Sequence, residues 1–152
     1  MLLIRTKCTV LALLLCVGAV SAAGAQTPEQ RAMAAVNMID HTIECVTYYK
    51  IIAQCIRNRD QKDELAVGYD RAADQLLELG FQLSQTVGLK PEAFAAKIKY
   101  ISQRHKDRMG SDCINISVLF EYTDRCKRLV EAPDAILKEN LRREQQRVGG
   151  QK

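Results

Sequence analysis

Four cysteines constrain this chain more than any other feature. Cys45 and Cys55 lie ten residues apart, Cys113 and Cys126 thirteen, with a long cysteine-free stretch between the two pairs. Both pairs fall in segments of helical periodicity. At 1.5 Å rise per residue their members stand about 15 Å and about 20 Å apart along their own helices. A disulfide needs Cα atoms within about 7 Å, so neither pair can close on itself. Any two bonds must therefore join the first cysteine-bearing helix to the second.

Whether the thiols are oxidised depends on compartment, and residues 1–25 speak to that. "MLLIRTK" is a short basic start, "CTVLALLLCVGAV" an apolar run, and Ala23-Gly24-Ala25 a small-x-small step before a polar change at Gln26. That order of regions is the pattern of a secretory signal peptide, with Gln26 expected to begin the exported chain and Cys8 and Cys16 removed with the leader. The apolar run is shorter than the roughly 20 residues of a spanning helix, so no transmembrane span is expected after cleavage. Four cysteines in an exported chain imply two disulfides. The expected localisation is the periplasm if the source is Gram-negative, and otherwise secretion.

The remaining sequence reads as all-α. Thr27, Pro28 and Gln30 form a capping-box start, and Ala32, Ala35, Val36, Ile39, Ile43, Val46 and Ala53 trace one buried stripe to about Arg57. Lys50 interrupts that stripe, so its ammonium must reach water. A polar turn leads to a second helix, about Asp63 to Val87. A third runs from 91 to 109 and stops at Gly110. Ser111 or Asp112 is placed to cap a fourth, with Cys113, Ile116, Leu119, Phe120, Cys126 and Val130 on its apolar side. Residues 133–152 read as a polar, loosely docked or frayed helix with a disordered "VGGQK" end.

Short turns between four amphipathic helices favour an up-down-up-down bundle of residues 26–132, with residues 133–152 as a helical tail. In that order the first and fourth helices are antiparallel neighbours, which pairs Cys45 with Cys126 and Cys55 with Cys113. One difficulty is angular: thirteen residues of straight helix leave Cys113 and Cys126 about 140° apart around the axis. An irregular first turn at "SDCIN" must absorb it.

Little in the chain points to catalysis. The spacings between the cysteines lack the C-x-x-C arrangement of a reactive thiol, and no G-x-S-x-G, H-E-x-x-H or C-x-x-C-H is present. The expectation is a non-enzymatic protein with no cofactor. Whole-chain Lys plus Arg is 22 against 18 Asp plus Glu; without Arg5 and Lys7 it is 20 against 18, a net charge of +2, so no nucleic-acid partner is expected. Met38, His41 and Cys45 share one helix face and would suit a soft ion such as copper(I), the basis of an alternative reading as a small-ligand or metal carrier. A disulfide at Cys45 removes that option. His105, near the end of the third helix, reads as a capping or dipole-favoured residue. Tyr48 and Tyr49 diverge by about 100°, so at most one is expected in the core. The leading expectation is an exported helical bundle that binds a macromolecule, an unknown protein or envelope component. Its expected contact surfaces are Tyr48 on the first helix and Ile136, Leu137 and Leu141 in the tail.

Overall fold

A computed structural model describes residues 26–60, 63–110 and 113–149. The signal-peptide reading of residues 1–25, the proposed caps Ser111 and Asp112, and the last three residues lie outside that range. Five α-helices account for nearly all of it: α1 (Pro28–Asp60), α2 (Asp63–Thr86), α3 (Pro91–Met109), α4 (Thr123–Glu131) and α5 (Pro133–Gly149). A 3₁₀ segment, Ile116–Tyr122, precedes α4, and no strand occurs among the described residues.

Local sequence signals set several of these boundaries. At the start of α1 the Gln30 amide donates to Thr27 Oγ1 at 3.1 Å, while the Thr27 amide donates to Gln30 Oε1 at 2.8 Å, a reciprocal capping box. The end of α2 closes with the Leu89 amide on the Ser84 carbonyl and the Gly88 amide on that of Gln85. Gly88 sits at φ 69°, the left-handed conformation that this helix stop requires.

Cross-helix contacts establish chain direction. Arg57 meets Asp63 and Lys50 meets Asp70 and Asp74, so α2 runs antiparallel to α1. Asp40 pairs with Lys97 and Glu44 with Arg104, so α3 runs parallel to α1. The bonds Cys45–Cys126 and Cys55–Cys113, with Cα atoms 5.3 and 5.7 Å apart, make the fourth element antiparallel. The order is up-down-up-down, stapled twice between α1 and the segment that ends in α4.

Two features differ from the sequence expectation. The first is α1, which touches every other helix and the 3₁₀ segment instead of offering one stripe. From Thr42 to Ala53 its residues are buried except Glu44, partly covered, and Lys50, which reaches water and its two carboxylates. A helix enclosed on all sides needs apolar or satisfied residues all round.

The second is the fourth element, which is not a straight helix. Cys113 takes φ 57°, and seven residues of 3₁₀ helix follow. A 3₁₀ helix turns about 120° per residue against about 100° for an α-helix, so seven residues add roughly 140°. That matches the angular mismatch between Cys113 and Cys126. The turn at Cys113 and the 3₁₀ segment after it are the irregularity that the spacing of Cys113 and Cys126 requires.

The C-terminal segment also packs more closely than a frayed tail. α5 lies along α1, with Ile136 and Leu137 against the main core and Asn140 and Glu144 buried. Asn37 donates to Glu144 at 3.1 Å and Arg147 donates at 2.9 Å, so the carboxylate enters the interface already paired.

Candidate functional site

The residues singled out by sequence are mostly used by the fold. With Cys45 bonded to Cys126, the set Met38, His41 and Cys45 lacks a thiolate, and Met38 is buried. No group of three or more His, Cys, Asp or Glu side chains among the described residues is arranged to hold a metal ion. His41 is half-buried, and that burial, with Arg125 nearby, lowers its pKa below the ordinary histidine value.

Tyr48 lies in the core and not on the surface. It is 3% exposed, its hydroxyl lies 3.0 Å from Thr123 Oγ1, and Tyr49 beside it is buried as well. Both adjacent tyrosines fit inside because α1 is surrounded: Tyr49 leans on Tyr69 of α2, and Tyr48 lies near Tyr122 of the 3₁₀ segment. Burial raises the pKa of both phenols, that of Tyr49 to about 12. Of the other expected contact residues, Ile136 and Leu137 are engaged with the core and Leu141 is partly covered.

His105 is likewise a core residue and not a cap. It has no exposed surface and packs 4.9 Å from the Tyr122 ring. The Thr47 hydroxyl donates to the Glu44 carbonyl at 2.9 Å, so its oxygen accepts from His105 Nδ1 at 3.2 Å. That places the ring hydrogen on Nδ1 and leaves Nε2 buried without a partner among the described residues. A second proton there would have no acceptor. Burial, with Arg104 adding to it, pushes the pKa down to about 4.

Glu44 ties three elements together. Its carboxylate takes Arg104 of α3 at 3.2 Å and Arg125 of α4, whose guanidinium also lies over the Tyr122 ring. These pairs are partly exposed, so their value lies in positioning more than in stability.

Several concave surfaces occur among the described residues. One is an open trough of about 400 Å³ between α2 and α3, walled by Leu77, Phe81, Phe94 and Ile98. These residues repeat at helical spacing, four apart on each helix, so each helix contributes one apolar row. The charged residues lining the trough are two carboxylates, Asp74 and Glu78. Asp74 is held by Lys50 at 2.8 Å, whereas Glu78 accepts from the neutral Gln82 amide and meets no cation among the described residues. The acidity extends along α2, which carries Asp63, Glu64, Asp70, Asp74 and Glu78 against one basic residue of its own, Arg71, with Lys50 and Arg57 of α1 pairing Asp63, Asp70 and Asp74. The sequence signal for this site lies in those acids and in exposed Leu77, but only two helices brought together make a trough.

A second concavity is a cleft of about 410 Å³ between the C-terminal parts of α1 and α3, with Cys55 and Cys113 in its lining. No described helix is long and apolar enough to cross a membrane. No protein-family model, curated protein or solved structure matches the chain.

Proposed function

We propose that this chain is an exported, non-enzymatic helical-bundle protein that acts by binding another protein, with the α2–α3 trough as its docking surface. Export is supported by the two disulfides, which persist in oxidising compartments, and by the basic, apolar and small-residue order of residues 1–25. In a Gram-negative source the compartment is the periplasm.

The observation that carries the binding reading is the trough itself. Its walls are apolar and its charged lining is acidic, so the occupant that complements it is an amphipathic segment with Lys or Arg beside its apolar row. Of its two carboxylates, Glu78 meets no cation among the described residues and is available to such a segment. The trough is preferred to Tyr48 and the α5 residues as the contact surface, because Tyr48 is buried and Ile136, Leu137 and Leu141 are partly covered.

Site-specific photo-cross-linking tests the proposal. Leu77→p-benzoylphenylalanine in the native envelope should give an adduct to a protein segment that is basic and amphipathic, and Glu78→Lys should abolish it. The same probe replacing exposed Gln146 on α5 should give none. No adduct at position 77, an adduct indifferent to Glu78→Lys, or one to lipid would overturn the assignment.

A further inference from the structure

The two disulfides have unlike surroundings. Cys45 and Cys126 have no exposed surface and are enclosed by the main core. Cys55 and Cys113 belong to the same core, 2% and 5% exposed, but they also form part of the wall of the cleft between the C-terminal parts of α1 and α3. Its polar lining comes from Gln54, Asn58, Lys106 and Asp107. Met109 Sδ rests 3.8 Å from Cys55 Sγ, a sulfur packing contact, since a disulfide sulfur has no hydrogen to donate.

Thiol–disulfide exchange depends on access for a thiolate, and on how well the departing sulfur bears negative charge. The cleft supplies the access, at Cys113 more than at Cys55, and its lining carries one cation, Lys106, beside one carboxylate, Asp107. The backbone adds a driving force: Cys113 is a non-glycine residue held at φ 57°, where its Cβ crowds the following carbonyl, and an opened bond would let it leave that conformation.

We propose that Cys55–Cys113 is a thiol-exchange site for small anionic thiols, while Cys45–Cys126 is a permanent cross-link. A thiolate bonds to one sulfur as the Cys55–Cys113 bond breaks, and the bonding electrons leave on the other sulfur as a thiolate. A second small thiolate attacks the mixed disulfide, yielding a small-molecule disulfide and two cysteine thiols after protonation. The cysteines gain the two electrons that the small thiols lose. Opening frees the link between α1 and the 3₁₀ segment, while the inner bond keeps α4 on α1.

The folded, oxidised protein treated with reduced glutathione, quenched by alkylation and mapped by mass spectrometry tests this. Tryptic cuts at Lys50, Arg57, Arg125 and Lys127 place all four cysteines on separate peptides. Alkylation at Cys55 and Cys113 should run about ten times faster than at Cys45 and Cys126, with helical circular dichroism retained. Lys106→Glu should slow glutathione several-fold and neutral dithiothreitol much less. Equal rates at both bonds, prior opening of Cys45–Cys126, or indifference to Lys106→Glu would overturn the proposal.

Discussion

The two sides of α1 are held by different means. On one side the 3₁₀ segment and α4 are short and irregular, and two disulfides fasten them to the core. On the other side α2 and the start of α3 carry no covalent link. There Ile39 and Ile43 of α1 pack with Phe94, supported by Phe81, Leu83 and Ile98, and Gly80 brings α2 close to α1. The difference teaches where cross-links are needed. A 24-residue helix brings enough buried surface to hold itself in place, whereas seven residues of 3₁₀ helix and nine of α-helix bring little.

The largest test of that contrast removes the inner staple. Cys45→Ala with Cys126→Ala should lower stability by about 3–4 kcal/mol, since with Cys55–Cys113 intact the bond closes a loop of about 25 residues that runs through the other disulfide. Denaturant melts measure it. A loss below about 1 kcal/mol would show that packing alone secures α4, and the two sides would then be alike.

Acid should reach the stapled side through His105, which joins α1, α3 and the 3₁₀ segment. Its pKa is 6.5 when unperturbed and about 4 in the fold, so between those values the unfolded chain binds a proton that the folded chain refuses. Stability therefore falls as pH drops from 6.5 toward 4 and this contribution then levels off, for a total of about 3 kcal/mol. Urea midpoints across that range should show the slope, and His105→Leu should flatten it. Asp70, held below its usual value chiefly by Arg57, weakens the α1–α2 side only at lower pH.

The smallest effects separate two glycines of α2. A Cβ at Gly80 would meet Thr42 Cγ2 at 3.0 Å and Phe94 Cζ at 3.2 Å, and Thr42 is wholly buried with its hydroxyl on the Met38 carbonyl. Gly80→Ala should cost about 1 kcal/mol after its gain in helix propensity. Gly68, exposed with open space around it, should gain a similar amount from the same substitution, about 1 kcal/mol. Thermal melts of both variants measure the pair. Equal gains would mean that the unstapled side has slack.

Much of the fold is legible in the amino-acid order. The capping box at Thr27, the stop at Gly110 and the helix over 91–109 follow from local chemistry. The candidate site is far less legible. Leu77 and Glu78 look like an ordinary helix face until Phe94 and Ile98 of α3 lie beside them. Tyr48 reads as a contact point because one helix viewed alone has an outside, and the middle of α1 has almost none.

By itself the sequence determined the helices, their alternating direction and both disulfide partners, because rise per residue and bond length are local quantities that leave one antiparallel pairing. Tertiary structure alone decided what surrounds each helix. It enclosed the middle of α1, docked α5 through Asn37 and Glu144, and drew His105 inward. It also converted the start of the fourth helix to 3₁₀. Each of these depends on which surfaces meet in space, and the period of a single segment carries no record of its neighbours.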